Sequence, residues 1–266
     1  MMSGSALEGA VVDLDGTVYR GDRPVAGARE GIERLRESDL DPVFLTNNPT
    51  GTRSGYRDRL RSLGIDAATD EIVTAAWIAA DYLATAHPDD SALVVGESAL
   101  VEELRQAGVD VTSDPDRATV VLASMDRSLE YADIRAALEA FEGESDPRFY
   151  ATNPDRTCPT ETGEIPDTAA TVGAIEGTTG RELDGVLGKP SRFAVEAAVR
   201  RLGTTPERCL VVGDRLETDV EMGLSAGMTT VLVLSGVTDR DAVSASTIEP
   251  DYVLDSLGDI GSVLQP

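Results

Sequence analysis

The sequence has very little lysine and cysteine and no long apolar run. Its 266 residues include one lysine, Lys189, and two cysteines, Cys158 and Cys209. Two cysteines cannot build a disulfide framework, which suits a reducing cytoplasm. No apolar run reaches the length of about 18 residues that a membrane span needs, and the N-terminus has no basic-then-apolar signal pattern. We therefore expect a cytoplasmic protein that is neither secreted nor inserted in a membrane.

Basic charge is also scarce. The chain has 48 acidic and 23 basic residues, a formal net charge of −25. Such a charge repels nucleic acid and anionic membrane surfaces, so neither is expected as a partner. Acid-rich, lysine-poor surfaces resemble those of extreme halophiles, in which high salt screens the self-repulsion. The composition therefore predicts a halophilic protein.

What the chain does contain is an alternation of short apolar strands and amphipathic helices. This order predicts an α/β protein with doubly wound, Rossmann-like parallel sheets and right-handed crossovers. In detail, the pattern predicts a long helix from Glu71 to about Ala86 with Asp70 as its N-cap. The stretch 157–166, rich in Thr, Pro and Gly, is predicted to be a loop.

Polar residues follow four of the apolar segments. Ligands of open α/β sheets bind beyond the carboxyl ends of strands, so these residues would meet at one edge if their strands are neighbours. The first group, in Val11-Val12-Asp13-Leu14-Asp15-Gly16-Thr17, puts two carboxylates two residues apart. The complete set is Asp13 and Asp15, Thr46 and Asn47, Lys189, and Asp214.

The three aspartates in this set offer hard oxygen ligands that suit Mg²⁺. A carboxylate beside a metal and a lysine stays ionised, so Asp13 can attack phosphorus and form an aspartyl-phosphate. Asp15 can protonate the leaving oxygen and later deprotonate the attacking water. Asp214 completes the set of candidate metal ligands.

The remaining members suit a phosphoryl group. Thr46, Asn47 and the main-chain amides that follow can donate hydrogen bonds to phosphate oxygens. Lys189 is a compact charge that can neutralise both the nucleophile and the phosphoryl group.

Four motifs stand in order along the chain: Asp13-Leu14-Asp15-Gly16-Thr17, Leu45-Thr46-Asn47-Asn48, Gly188-Lys189-Pro190 and Gly213-Asp214-Arg215-Leu216-Glu217-Thr218-Asp219. In this order they resemble the motifs of the haloacid dehalogenase-like superfamily, and the resemblance is closest to its NagD-like phosphatase branch. Further segments that resemble this branch are Tyr19-Arg20-Gly21, Thr152-Asn153-Pro154-Asp155 and Ser235-Gly236-Val237-Thr238.

The resemblance implies a catalytic core at 1–72 and 186–266, with an inserted α/β cap at 73–185 that determines substrate specificity. It makes Asp13 the nucleophile and Asp15 the general acid and base, with the Asp15 main-chain carbonyl on the metal. Asp214 becomes a metal ligand, and Asp219 orients Lys189 or a metal-bound water. The implied activity is Mg²⁺-dependent hydrolysis of a small phosphomonoester: a sugar phosphate, a nucleotide, phosphoglycolate or glycerol phosphate.

Candidate substrate contacts are less well defined. Asn48, Asn153 and Asp155 are the candidates, although Asn153 and Asp155 could equally form an Asx turn. The chain departs from the branch at Pro49, where many relatives have Ser. It also departs at 166–169, where Pro-Asp-Thr-Ala replaces a glycine-rich turn. A homo-oligomer formed through the cap is left open.

Two other functions compete with hydrolysis. One is phosphoryl transfer to a sugar hydroxyl, as in related mutases, which would return an isomer rather than free phosphate. The other is a receiver-like signalling module, in which a phospho-aspartate is the message. Receivers lack a second carboxylate two residues after the phosphorylated one, so Asp15 argues against that function.

Overall fold

The computed structural model describes residues 7–160 and 163–264. Helices along these residues are α1 (Ala28–Glu37), α2 (Arg53–Ser62), α3 (Ala75–Ala86), α4 (Ser98–Gln106), α5 (Tyr131–Glu142), α6 (Thr168–Thr179), α7 (Arg192–Leu202), α8 (Glu221–Ala226) and α9 (Arg240–Ala245). Strands are β1 (Gly9–Val12), β2 (Tyr19–Arg20), β3 (Arg23–Pro24), β4 (Pro42–Thr46), β5 (Ile72–Thr74), β6 (Ser91–Val95), β7 (Asp110–Thr112), β8 (Val120–Ala123), β9 (Arg148–Ala151), β10 (Thr157–Thr160), β11 (Gly163–Pro166), β12 (Gly185–Val186), β13 (Cys209–Gly213), β14 (Thr229–Val233) and β15 (Tyr252–Leu254). None of the helices in these two ranges has the length and apolarity needed to cross a membrane.

The chain forms two compact units. Among the described residues, the first contains 7–46, 53–73 and 190–264. The second contains Asn47–Thr52 and Thr74–Lys189. These units differ from the predicted domains at 47–52 and 186–189, which group with the second unit, and at Val73, which groups with the first. Val186 belongs to the second unit because its strand, β12, pairs in parallel with β9.

The first unit is built on a six-stranded sheet with the order β15-β14-β13-β1-β4-β5. Strand β1 lies in its middle, paired in parallel with β13 on one side and β4 on the other. Each of these three strands is buried along its whole length. A strand covered on both faces must be apolar at every position, which explains the continuous runs in the sequence. The parallel doubly wound sheet confirms the predicted fold class.

The second unit has its own five-stranded sheet, with the order β12-β9-β8-β6-β7, and all its strand pairs are parallel. Helices α5 and α6 pack on one another. The buried core of this unit includes Val121, Phe149 and Ile175. Between β9 and α6 the chain forms a short antiparallel hairpin of β10 and β11.

Two local predictions are wrong. The predicted long helix from Glu71 begins instead at Ala75, because Ile72-Val73-Thr74 is β-branched and joins the first sheet as β5. Thr74 is the actual N-cap, since its Oγ1 accepts a hydrogen bond from Trp77 N at 3.1 Å. The predicted loop at 157–166 is the β10–β11 hairpin, in which Thr157 pairs with Pro166 and Thr160 with Gly163.

Candidate active site

Three buried carboxylates come together at the carboxyl edge of the first sheet. Asp13, Asp214 and Asp219 each offer an oxygen, and these oxygens all lie within 4.8 Å of one another. Asp13 is 6% exposed, and the other two are 1% exposed. The topology accounts for the meeting of Asp13 and Asp214. Their strands β1 and β13 pair with Val12 opposite Val212, and Asp13 N continues the ladder by donating to Val212 O at 2.9 Å.

Asp219 reaches the cluster from a π-helical turn at Leu216–Val220. Its Oδ2 accepts a hydrogen bond from Arg215 N at 3.1 Å, which folds the turn back toward β13. A Cβ atom on Gly213 would lie 2.2 Å from Asp219 Cγ, so only glycine fits at the end of β13. Wider π turns are often found at functional sites, because the extra residue redirects a side chain.

Asp214 lies between two glycine-containing segments. A Cβ atom on Gly16 would be 2.2 Å from Asp214 Oδ2, and one on Gly236 would be 1.9 Å from the same oxygen. Gly16 also has φ +94°, a conformation that L side chains rarely adopt. Val237 N donates to Asp214 Oδ2 at 2.7 Å, a charge-assisted hydrogen bond that fixes the carboxylate. Ser235 Oγ donates to Gly16 O at 2.8 Å, which ties the two segments together.

Asp15 is half-buried in the tight turn that follows β1. Gly16 N donates to Tyr19 O at 2.7 Å and closes this turn. The Tyr19 ring is completely buried, and the Arg59 guanidinium carbon lies 4.0 Å from its centroid. Burial, followed by the charge of Asp15, holds the pKa of Tyr19 well above its usual value. Tyr19 is therefore a neutral, buried side chain that packs against the acidic turn.

The acidic cluster has the chemistry of a divalent cation site. Three buried like charges at this spacing repel each other strongly unless a cation or a proton compensates them. Hard carboxylate oxygens are the ligands that Mg²⁺ and Ca²⁺ prefer. The cluster contains two of the predicted metal ligands, Asp13 and Asp214, together with Asp219, which is predicted to lie beside the metal. The third predicted ligand is the main-chain carbonyl of Asp15, which is not a carboxylate, and its role stays a prediction.

Thr46 ends β4 on the other side of β1. Val12 pairs with Phe44, so Thr46 stands two residues further along, past the carboxyl end of β1. It is 2% exposed. The first sheet thus brings Asp13, Thr46 and Asp214 to one edge, as the strand pattern predicts.

In the second unit, Lys189 is joined to Asn47. Lys189 follows β12 and is 3% exposed, and Asn47 is 7% exposed. Lys189 N donates to Asn47 Oδ1 at 2.8 Å, and Asn47 Nδ2 donates to Lys189 O at 3.0 Å. Asn47 Nδ2 also donates to Asp155 Oδ2 at 3.0 Å. Both amide hydrogens of Asn47 are therefore used inside this unit.

The candidate substrate residues take part in local turns. Asp155 N donates to Asn153 Oδ1 at 2.9 Å, which is the Asx turn that the sequence left open. Asn153 Nδ2 donates to Asn47 O at 2.9 Å. Asn48 Oδ1 accepts hydrogen bonds from Thr50 N at 3.1 Å and from Thr50 Oγ1 at 2.7 Å.

Sequence reasoning missed several residues that shape these sites. Gly236 and Val237 belong to a recognised segment, but their contact with Asp214 is not visible in it. Asp167 lies in the turn where the chain departs from the branch. Its carboxylate is 5% exposed and caps α6, and burial raises its pKa. The aspartate before a helical pattern was the available signal for this cap.

Comparison with known proteins agrees with this architecture. A family model described as haloacid dehalogenase-like hydrolase matches residues 10–110, and one described as HAD-hydrolase-like matches residues 186–260. Among curated proteins, the sugar-phosphatase AraL of Bacillus subtilis (strain 168) is 38% identical over 252 residues. That alignment covers 95% of this chain and 91% of the relative.

Solved structures agree equally well. The p-nitrophenyl phosphatase from Archaeoglobus fulgidus matches with a TM-score of 0.91 and 36% identity, covering 97% of this chain and all of that one. NagD from E. coli K-12 matches with a TM-score of 0.87 and 32% identity, covering 96% of this chain and 99% of that one. The chain belongs to the NagD-like phosphatases of the haloacid dehalogenase-like superfamily. It is a phosphatase, which confirms the predicted enzyme class and excludes the receiver alternative.

Proposed function

We propose that the chain hydrolyses small sugar phosphates in a Mg²⁺-dependent reaction through an aspartyl-phosphate on Asp13. The observation that carries this proposal is the buried cluster of Asp13, Asp214 and Asp219 at the carboxyl edge of the first sheet. We assign Asp13 as the nucleophile because it lies directly at the end of the central strand, where ligands of such sheets bind.

The reaction has two steps. An Asp13 carboxylate oxygen attacks phosphorus, the bond to the ester oxygen breaks, and Asp15 gives its proton to the leaving alcohol. Asp15 then takes a proton from water, which attacks the phosphorus and releases inorganic phosphate and free Asp13. Asp13, Asp214 and the Asp15 main-chain carbonyl would hold Mg²⁺. Asp219 would lie beside these ligands and orient a metal-bound water. When bound, the metal supplies positive charge that offsets the negative charge of the phosphoryl group.

Substrate phosphate is bound by the remaining motif residues. Thr46 Oγ1 and the Asn47 main-chain amide donate to phosphate oxygens, and the Lys189 ammonium neutralises the charge that builds up during transfer. Lysine suits this role because its ammonium is a compact charge on a flexible stem.

The sugar phosphate class is supported by the 38% identity to a sugar phosphatase. We assign substrate selection to the second unit, in the role of cap. Asn48, Asn153 and Asp155 are the candidates for contacts with the leaving group.

A panel of phosphomonoesters tests the proposal. The purified protein would be assayed for phosphate release in molar KCl with Mg²⁺, using sugar phosphates, nucleotides, phosphoglycolate and glycerol phosphate. We expect the highest kcat/KM with a sugar phosphate. A preference for a nucleotide or for phosphoglycolate would overturn the substrate class, and an isomeric phosphate as the product would replace hydrolysis by the mutase reaction.

We further propose that the protein works in the cytoplasm of a halophile. The two cysteines form no disulfide, and the net charge is −25.

We also propose a homo-oligomer formed through the cap. Light scattering at high salt would measure its mass in solution.

A further inference from the structure

We propose that the Asn47 side chain is a positioning residue that clamps the main chain of Lys189. This inference rests on the proposed function, in which Lys189 neutralises the transferring phosphoryl group. The proposal assigns the Asn47 carboxamide a different task from phosphate binding, which is left to its main-chain amide and to Thr46.

The contact is a pair of hydrogen bonds between two amide groups. Asn47 Oδ1 accepts from Lys189 N at 2.8 Å, and Asn47 Nδ2 donates to Lys189 O at 3.0 Å. This arrangement satisfies both main-chain groups of one residue with one side chain, as a neighbouring strand would. It therefore fixes the position and the orientation of the Lys189 backbone.

Further bonds hold the clamp itself in place. The second Nδ2 hydrogen goes to Asp155 Oδ2 at 3.0 Å, and Asn153 Nδ2 donates to Asn47 O at 2.9 Å. A carboxamide has two N–H donors, and both are now used. An Asn47 side chain engaged in this way has no hydrogen left to donate to a phosphate.

The neighbouring glycine makes the close approach possible. A Cβ atom on Gly188 would lie 2.6 Å from Asn47 Oδ1 and 2.5 Å from Thr152 O. Gly188 N also donates to Thr152 O at 2.7 Å. The segment before Lys189 thus passes between the Asn47 side chain and the main chain just past the end of β9.

Only asparagine fits all three bonds. Aspartate has the same shape, but it would turn an oxygen toward Lys189 O and the Asp155 carboxylate, replacing two attractions by repulsion. Alanine would remove all three bonds and leave buried groups unsatisfied. Asn47→Asp should therefore be at least as damaging as Asn47→Ala, which would not hold if Asn47 merely filled space.

The single lysine makes a direct test possible. Protein produced in a lysine auxotroph with 15N-amide lysine gives one backbone amide resonance, that of Lys189. We expect Asn47→Ala to shift this resonance and to speed its hydrogen exchange about tenfold or more, without substrate present. With p-nitrophenyl phosphate and Mg²⁺, kcat should fall about tenfold or more, while KM changes less than kcat.

Ser124→Ala is the matched control. It removes another buried hydrogen bond of the same unit, between Ser124 Oγ and Thr152 Oγ1 at 2.9 Å, without touching Asn47 or Lys189. We expect it to lower the melting temperature but to leave the Lys189 resonance and kcat unchanged.

Two results would overturn the proposal: an unchanged Lys189 resonance in Asn47→Ala, or a shifted resonance with wild-type kcat. Failure of the proposed function looks different, because the wild-type protein would then release no phosphate from any ester. In that case the resonance would still report the clamp, and its catalytic role would be withdrawn.

Discussion

Gly236 provides a sharp test of the acidic site, because a methyl group there would collide with Asp214. A Cβ atom on Gly236 would lie 1.9 Å from Asp214 Oδ2 and 2.5 Å from Asp214 Cβ. Rotation of the Asp214 side chain cannot relieve the second contact, since its Cβ does not move with the rotamer. Carbon atoms pack at about 3.5 Å or more, so the Gly236→Ala variant must shift its main chain by about 1 Å.

A shift of that size is large for a metal ligand. Metal–ligand distances hold within about 0.2 Å, and a misplacement of about 1 Å lowers turnover by about a hundredfold, or about 2.7 kcal/mol. The same shift strains the hydrogen bond from Val237 N to Asp214 Oδ2. Hydrogen bonds to charged groups contribute roughly 1.5–3 kcal/mol, so the melting temperature should fall as well.

The assay follows initial rates with p-nitrophenyl phosphate as Mg²⁺ is varied in molar KCl. We expect Gly236→Ala to lower kcat/KM by about a hundredfold and to raise the half-saturating Mg²⁺ concentration by about tenfold or more. The control is Gly173→Ala, an exposed position within α6 where the added methyl meets nothing within 4 Å. That variant should keep wild-type kinetics and gain about 0.5–1 kcal/mol of stability.

Wild-type kcat/KM together with unchanged Mg²⁺ dependence in Gly236→Ala would refute the reasoning. The Asp214 carboxylate would then not be a metal ligand, and its contact with the 235–238 segment would serve folding alone.

Four further outcomes are expected. Asp13→Asn should lower turnover by about a thousandfold or more with an unchanged circular dichroism spectrum, because an amide cannot attack phosphorus; higher residual activity would indicate another nucleophile. Lys189→Arg should lose about a hundredfold in kcat, because a planar guanidinium is wider than an ammonium, whereas Arg105→Lys on the exposed side of α4 should change nothing. EDTA should abolish phosphate release, with recovery in Mg²⁺ and inhibition by Ca²⁺, whose larger and looser coordination misdirects the carboxylates; full activity in chelator would exclude the metal. The melting temperature should rise from dilute to molar KCl as salt screens the charge of −25, and a flat response would reject the halophilic interpretation.

The sequence predicted the centre of the first sheet well, because β1, β4 and β13 are buried along their whole length and read as unbroken apolar runs. Asp13, Thr46 and Asp214 follow three such strands, so their meeting at one edge follows from parallel pairing. The start of α3 was predicted wrongly because the segment before it has no such clear pattern. Ile72-Val73-Thr74 is too short to show a period of its own, so its β-branched composition favours a strand only weakly and pairing within the sheet decides.

Side-chain contacts between distant segments could not be predicted. Asn47 and Lys189 are 142 residues apart, and nothing in either motif shows that one side chain holds the backbone of the other. The same is true of Gly236, whose role depends on the space that Asp214 occupies. Motifs identify which residues are present at a site, and tertiary packing decides which of them touch.

The burial of Lys189 has a practical consequence for handling the protein. Its ammonium is the sole side-chain amine of the chain, and the residue is 3% exposed. Amine-reactive dyes, biotin esters and sensor surfaces therefore meet no exposed lysine side chain on this protein. Lys189 should keep its free ammonium during such treatment, so the candidate site stays chemically intact.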